Sequence, residues 1–521
     1  MKTIYRIYPA VGIARIGNSE TAYFIGPEAP DIVADGPYRD DAAPGRIKPQ
    51  AARFRIYEYE REECGNESLI REVVADDAIK ITWQVHLVNR KAAGGTFPPG
   101  GPSAPPRNMD YERSGLVIDA ALQSISGVNQ QMGPLTGEIN FIKNGTREGT
   151  AKVELGRLLT DDSGRLIVVG GPGRSASPLG SGLSNYANND GWFDSISDGP
   201  VKALIEINGK EAIAAEGGAW VVVAPPAYAP GIVNMTTWYD QALNVSAKVF
   251  NPSLMKTVPS FTRDIYPILK RTVLLHWVVE RVNRHHGGAG NFLSPQRLAQ
   301  LADNSDATKP ARQKIINWLM KPNTPVDPNT LPLSMPPNMP KLNSGLDPDD
   351  PSQGEFAALT ELQYAMMEQW ANGNFSADWT AEPAPVPFEN LPLEEQPDAL
   401  TRAALEGCIG APFFPGIEVT YVIAQAATYD APFRIKQSLP PGFLTERMAL
   451  PWQADFLDCG ELWWPAQRPV EVATGSGEIK RFARGVNSYG DMVKWWTELG
   501  FVVEKDDEFV ETERNPIDGQ T

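Results

Sequence analysis

Short runs of alternating or β-branched apolar residues recur through the first half of the chain and predict β-strands. In the clearest run, Ile81–Val88, the alternation places Thr82, Gln84 and His86 on one face. Asn-Gly and Asp-Ser-Gly turn signals separate the runs. The predicted strands cover residues 54–59, 78–88, 151–154, 166–169, 201–207 and 219–223. The pattern therefore predicts a β-rich domain over residues 1–250.

Beyond residue 250 the apolar residues recur at helical spacing. Asp264 is predicted to cap a helix that has Pro267 in its first turn. Gly373 is a stop signal after another amphipathic run. The predicted helices cover residues 265–283, 295–302, 311–320, 355–371 and 488–499. The fold class that follows is α+β, with a β-rich N-terminal half and a mixed, helix-containing C-terminal half.

The predicted organisation has four parts: a β-rich domain (1–250), a helical segment (251–321), a proline-rich arm or linker (322–352) and a mixed domain (353–521). Nine prolines between Pro322 and Pro351 exclude regular structure. Two interpretations stay open, a linker and an ordered arm wrapped over a neighbouring subunit. The apolar residues of segment 322–352 argue against a freely solvated tether. They include Leu331, Leu333, Met335, Met339 and Leu342.

At 521 residues the chain exceeds the size at which one hydrophobic core stops growing, so more than one domain is expected. The formal net charge of −17 argues against nonspecific binding to nucleic acid and to anionic membranes. Three cysteines do not make a disulfide framework, and neither a signal peptide nor a membrane-spanning run is evident. We therefore expect a cytoplasmic protein, and export by an unrecognised route stays open.

A cysteine in a stiff loop is the clearest candidate for chemistry. In Cys408–Glu418, Pro412 and Pro415 remove backbone donors and fix φ, which excludes a helix interior or a central strand. Two aromatic segments follow, Pro451–Phe456 and Leu462–Pro469. A free cysteine is most often a small buried hydrophobe, whereas rigid irregular backbone often carries function. The residues alone leave both interpretations open.

These three segments resemble the lysine ε-oxidase and glycine oxidase family of quinoproteins, whose cofactor is cysteine tryptophylquinone (CTQ). The resemblance implies a thioether cross-link between Cys408 and either Trp463 or Trp464, with the tryptophan oxidised to an ortho-quinone. Further segments that resemble the family are residues 8–18, 45–54, 170–175 and 189–192. Adjacent residues of an extended segment face opposite ways, so the two tryptophans stay alternatives.

What the resemblance implies about activity is an oxidoreductase that deaminates a small primary amine or an amino acid. The two-electron oxidation of an amine needs an electrophile that no standard side chain supplies, so such a reaction needs a cofactor. Dioxygen would take up the electrons, and the products would be a carbonyl compound, ammonia and hydrogen peroxide. The resemblance also implies a partner flavoprotein that matures the quinone, and we expect a homo-oligomer.

The chain departs from the family four residues before the cysteine. There the family carries an aspartate that is needed to make the quinone, and this sequence has Ala404. The nearest carboxylate is Glu406, which could substitute if the local backbone is not helical. The alternative is a non-oxidase homologue, a binding or structural protein in which Cys408 is unmodified or only cross-linked.

A catalytic base is expected among the carboxylates close to these segments. A carboxylate desolvated among aromatic side chains has a raised pKa and can act near neutral pH. The candidates are Glu418, Asp455, Asp458 and Glu461. The structural alternatives are that Asp455 hydrogen-bonds to backbone and that Glu418 pairs with Arg468.

Neither a metal site nor a nucleotide site is expected. His285 and His286 have no further histidine or carboxylate at ligand spacing. The glycine-rich segment 170–175 lacks the Gly-Lys-Ser/Thr ending of a phosphate loop.

Overall fold

The computed structural model describes most of the chain, and β-structure dominates its N-terminal half. The described residues are 1–34, 36–96, 105–278, 292–322, 342–343, 356–357, 359–410, 422–462, 468–469, 471–473 and 478–517. For residues 342–343, 356–357 and 458–462 the backbone alone is described. The predicted α+β class, with a β-rich N-terminal half and a mixed C-terminal half, is confirmed.

Fifteen strands of the described N-terminal half form one sheet. They are β1 (Lys2–Tyr8), β2 (Val11–Arg15), β3 (Phe24–Ile25), β4 (Gln50–Arg61), β5 (Glu67–Val73), β6 (Ile79–Val85), β7 (Val88–Asn89), β8 (Ile118–Asp119), β9 (Gln123–Ser126), β10 (Gln131–Lys143), β11 (Thr146–Thr160), β12 (Leu166–Gly170), β13 (Ser197–Ile207), β14 (Ile213–Ala214) and β15 (Ala219–Ala224). The main path through the sheet is β10-β11-β12-β4-β2-β15-β13-β6-β9.

Strands β2 and β15 form the parallel pair at the middle of this path, and every residue in both strands is buried. Strands covered on both faces are expected to be continuously apolar, as these two nearly are. Burial alternates along β6, as its period-two pattern predicts. The predicted strand 78–88 is split into β6 and β7 at His86. There the carbonyl oxygen of His86 packs closely on Gly199, and a Cβ built on Gly199 would lie 1.7 Å from that oxygen.

Helices and short hairpins make up the rest of the described chain. The helices are α1 (Trp238–Val245), α2 (Tyr266–Leu274), α3 (Pro295–Ala302), α4 (Lys309–Ile316), α5 (Glu361–Ala371), α6 (Gln396–Glu406), α7 (Trp452–Leu462) and α8 (Tyr489–Trp495). The short strands are β16 (Leu342–Asn343), β17 (Phe356–Ala357), β18 (Tyr429–Ala431), β19 (Arg434–Ile435), β20 (Glu471–Ala473), β21 (Ile479–Arg481), β22 (Phe501–Lys505) and β23 (Glu508–Thr512).

One predicted helix start and one predicted cap are wrong, and capping side chains explain both. The predicted helix 355–371 begins at Glu361, because Thr360 and Gln363 form a reciprocal capping box. The predicted cap at Asp264 is replaced by Ser260, whose hydroxyl accepts from the backbone N–H of Arg263 and opens a π-helical turn before α2.

Buried polar contacts fasten the C-terminal elements to the sheet. Arg434 donates from Nη1 to the carbonyl oxygen of Ile7 at 2.9 Å. The first residue of α7, Trp452, donates its backbone N–H to Asp194 Oδ2 at 3.1 Å. Asp194 also pairs with Lys91, and both of these side chains are fully buried. The start of α7, the helix that leads to the two candidate tryptophans, is therefore fixed against the sheet.

Most of the predicted arm, residues 322–352, lies outside the described residues, and the predicted domain boundaries stay predictions. Within the described ranges, no helix combines the length and the apolar character that crossing a membrane requires.

Candidate active site

Cys408 lies just beyond the C-terminus of α6 and is 1% exposed. Its backbone N–H donates to the carbonyl oxygen of Leu405 at 3.2 Å, which continues the helical turn past Gly407. Its thiol donates to the carbonyl oxygen of Ala404 at 3.3 Å. The sulfur therefore points back along the end of the helix into the core.

Arg15, the last residue of β2, brings a buried cation to this sulfur. Nη1 donates to the carbonyl oxygen of Pro225 at 2.9 Å, and Nη2 donates to that of Gly407 at 3.0 Å. Nη2 also lies 3.8 Å from Cys408 Sγ. Burial raises the pKa of Cys408 to about 12, and the positive charge of Arg15 opposes that rise. Burial also lowers the pKa of Arg15.

The backbone after Cys408 is held against the start of α1. Trp238 donates its backbone N–H to the carbonyl oxygen of Cys408 at 3.0 Å, and Gly410 donates to that of Thr236 at 2.9 Å. A Cβ at position 410 would lie 1.9 Å from the carbonyl oxygen of Thr237, so only glycine allows this approach. Two segments far apart in sequence thus fix the residue that the family resemblance singles out.

A buried charge network anchors α6 next to Cys408. Glu406 Oε1 lies 2.7 Å from Arg271 Nη2 and 3.0 Å from Arg402 Nε. Arg271 Nη1 lies 3.0 Å from Asp240 Oδ2. Burial raises the pKa of Asp240, an effect that Arg271 opposes. The network joins α1, α2 and α6.

Replacing Arg271 by methionine is expected to lower the free energy of unfolding by about 3–5 kcal/mol, because two buried carboxylates would lose a shared cation. Lys248→Met is the matched control, since the Lys248–Glu361 pair is partly exposed and should contribute less than about 1 kcal/mol. Denaturant unfolding of both variants measures the difference. Equal losses would show that the Arg271 network contributes no more than a surface pair.

Ala404 and Glu406 face different surroundings, because α6 is helical through Glu406. The non-helical backbone under which Glu406 was expected to replace a residue at position 404 is therefore absent, and Glu406 could act there only through its Oε2 or after its side chain leaves the arginine network. Ala404 lines a cleft of about 70 Å³ together with Arg15 and Gly407. Tyr38 and Glu28 lie on the same cleft wall. A side chain at 404 thus faces this cleft, whereas the carboxylate of Glu406 lies in the arginine network.

The structure describes some of the other predicted site residues and leaves the rest outside its described ranges. Trp463, Trp464 and Glu418 lie outside the described residues, so their distances to Cys408 stay untested. Asp455 is buried in the first turn of α7. Asp458 and Glu461 belong to α7 by their backbone. The predicted partner of Glu418, Arg468, donates to the carbonyl oxygen of Leu457 at 2.8 Å.

Sequence reasoning missed Arg15 and Trp238, which contact Cys408, and Arg271, which pairs with Glu406. Arg15 stands in the family-like segment 8–18, and that match is the signal that could have drawn attention to it. The predicted pair His285-His286 lies outside the described residues. In the described part of the chain, no three His, Cys, Asp or Glu side chains cluster as metal ligands would.

Two family models match the chain. The model described as L-lysine epsilon oxidase N-terminal matches residues 8–223, and the one described as L-lysine epsilon oxidase C-terminal domain matches residues 341–478. Together they cover more than half of the sequence, and the second contains Cys408 and both candidate tryptophans.

Among characterised proteins, the L-lysine 6-oxidase of Marinomonas mediterranea is 27% identical, over 98% of this chain and 89% of that protein. The crystal structure of the L-Lys ε-oxidase from the same organism superimposes with a TM-score of 0.77 at 24% identity, over 98% and 95% of the two chains. The Schiff base intermediate of that oxidase with L-Lys gives a TM-score of 0.75 at 24% identity, with the same coverage. These structural likenesses show that the fold is shared.

Proposed function

The chain belongs to the L-lysine ε-oxidase family of amine oxidases, and from that premise we propose that it oxidises a small primary amine or an amino acid with a CTQ cofactor. Cys408 and one of Trp463 and Trp464 would form that cofactor. The amine, dioxygen and one water would give a carbonyl compound, ammonia and hydrogen peroxide, so that two electrons pass from the amine carbon to dioxygen.

The observation that carries the proposal is the setting of the Cys408 sulfur. A side chain that is to form one bond to one partner must be held in one orientation. The Ala404 carbonyl and the Arg15 guanidinium contact this sulfur, and the adjoining backbone is bridged to Trp238. A cysteine that only filled space in the core would need none of these polar contacts. The described residues therefore fit one half of the cofactor.

In the proposed site, the cofactor would supply the two-electron acceptor. The rest of the chain would bind the amine, exclude bulk water and transfer protons. Burial of Cys408 would keep bulk water from the cofactor that it helps to form. The base that removes the proton from the amine carbon stays among Glu418, Asp455, Asp458 and Glu461. Of these four, Asp455 is the one whose side chain the structure describes, and that side chain is buried.

We further propose a flavoprotein partner for maturation, a homo-oligomeric assembly and a cytoplasmic location. The family resemblance supports the flavoprotein partner. Among the described cysteines, Cys64 and Cys408 are both free thiols, as is usual in a reducing compartment.

The test of the function is turnover by the matured chain. The protein is produced with the flavoprotein partner of a CTQ oxidase and supplied with L-lysine, glycine and simple primary amines. Equal amounts of hydrogen peroxide and ammonia from at least one of them support the proposal. A chain that carries the quinone and yet forms neither product from any of these compounds would overturn it.

A second candidate, a non-oxidase homologue, is favoured by Ala404. This methyl group lines the cleft beside Arg15, at the place where the family carries the aspartate that makes the quinone. The intact mass and the visible spectrum after co-production with the flavoprotein discriminate the two functions. A cross-link with two added oxygens and quinone absorbance supports the oxidase, and an unmodified mass supports the binding or structural protein.

Ala404→Asp is expected to raise the yield of quinone several-fold over that of the parent chain. The new carboxylate would face the same cleft as Arg15, and a positioned base accelerates proton transfer. Ala404→Asn is the control, since asparagine has the shape of aspartate without its charge. Absorbance of the quinone, normalised to protein, is the measurement. If the parent chain forms no quinone and neither variant restores it, the non-oxidase function is favoured.

A further inference from the structure

Arg15 is a cation buried at the end of a fully buried strand, and no step of the proposed reaction assigns a role to its charge. Placing a charge in a protein interior is costly unless hydrogen bonds compensate for the lost water. Its donors reach Pro225, which follows β15, and both Gly407 and the sulfur of Cys408 at the end of α6, so that Arg15 links two separate parts of the fold.

We propose that Arg15 is the positioning residue for Cys408, holding the sulfur in one rotamer and donating a charge-assisted hydrogen bond to it. Where it concerns the bond to tryptophan, this inference rests on the proposed function. The orientation of the free thiol does not depend on that function.

The geometry couples the guanidinium to the sulfur through a neighbouring residue. Nη2 is fixed at 3.0 Å from the carbonyl oxygen of Gly407, the residue before Cys408, and reaches Sγ at 3.8 Å. Nη1 is anchored on Pro225, which follows β15. A guanidinium is planar and rigid, so two anchored nitrogens fix the direction of the remaining contact. The sulfur cannot rotate to another staggered position without losing the Arg15 and Ala404 contacts together.

Charged side chains described on the other elements around Cys408 form ion pairs with one another. On α6, Glu406 is paired with Arg271 and Arg402. At the start of α1, Asp240 is paired with Arg271, and the contact from that segment to Cys408 is the backbone N–H of Trp238. Among the described residues, Arg15 is the charged side chain with a contact to the sulfur.

The hydrogen-bond chain from Arg15 through the thiol to the Ala404 carbonyl has a spectroscopic signature. A thiol that accepts from a cation is a stronger donor, so its S–H bond is weakened. The S–H stretch therefore lies at lower frequency than it would without Arg15. Raman spectra of the full chain, produced without the flavoprotein and with Cys64→Ser and Cys459→Ser, report the Cys408 band alone.

In that background Arg15→Gln is expected to move the S–H band to higher frequency and to broaden it. Arg434→Gln is the matched control, because Arg434 is also buried and also clamps two backbone carbonyls, those of Ile7 and Gly218, without touching Cys408. A band that stays in place in Arg15→Gln, or that moves equally in Arg434→Gln, would overturn the proposal.

Arg15→Lys covers the case in which Arg15→Gln does not fold. Lysine keeps the cation but lacks the planar fork, so an intermediate shift is expected, and a parental band would count against the proposal.

A second arm measures the cross-link after production with the flavoprotein. The sulfur and an indole carbon each lose a hydrogen, and the two electrons pass to the flavin and then to dioxygen. The cross-linked fraction, read from intact mass, should fall in Arg15→Gln and not in Arg434→Gln; equal fractions in the two would contradict a positioning role. If the parent chain itself stays unmodified, the proposed function fails, and the Raman result still decides the role of Arg15.

Discussion

Replacing Cys408 by serine is expected to abolish both the quinone absorbance and the oxidation of amines, with turnover falling by roughly 10⁶-fold or more to the uncatalysed level. The hydroxyl is close in size to the thiol and can keep the contacts to Arg15 and Ala404, so the fold should be retained. What is lost is the sulfur that joins the tryptophan, and no standard side chain replaces the resulting electron acceptor.

Cys64→Ser is the matched control for this prediction. Cys64 is exposed in the turn between β4 and β5, with its sulfur 3.1 Å from Glu62. Peroxide formation and the visible spectrum should be those of the parent chain. Parental turnover in the Cys408 variant would remove the cysteine from the mechanism.

Glu406→Gln is expected to slow formation of the quinone by about 10²–10⁴-fold, the usual contribution of a general base. Among the described contacts, both of its ion pairs engage Oε1, so the role requires that Oε2 or a rearranged side chain faces the indole. We predict that, while the quinone forms, the Glu406 carboxylate turns this oxygen toward the indole edge. The growth of quinone absorbance after addition of the flavoprotein measures the rate.

Asp398→Asn provides the comparison, because Asp398 lies in the first turn of the same helix. It should mature at the parental rate. If Glu406→Gln reaches full quinone absorbance at the parental rate, another group is the base in quinone formation. A melting temperature measured for both variants separates slow maturation from a loosened α6.

Much of the fold follows from local sequence patterns. Alternation in 79–85 and the continuous apolar run in 219–224 predict strands, because burial on one or on two faces imposes those patterns. Helix starts were less predictable. Thr360 overrides a predicted start and Ser260 a predicted cap, each through a hydrogen bond to a single backbone group, and such a bond is a weaker signal than the hydrophobic period.

The candidate site was predictable only at its centre. Prolines and glycines around Cys408 mark a rigid segment that local reasoning can recognise. Arg15 stands 393 residues before Cys408 in the sequence. It reaches the sulfur only because β2 pairs with β15 and because α6 packs on β2. Arg271 is likewise 135 residues from Glu406. Contacts made by the tertiary fold leave no periodic trace in the sequence.

The most direct test of the central claim is a peptide mass map of the chain after production with the maturing flavoprotein. The account predicts that the peptide containing Cys408 is joined to the peptide containing Trp463 and Trp464. The joined pair should carry two additional oxygen atoms, and fragmentation should assign the cross-link to one tryptophan. Two separate and unmodified peptides, recovered quantitatively from the co-produced protein, would contradict it.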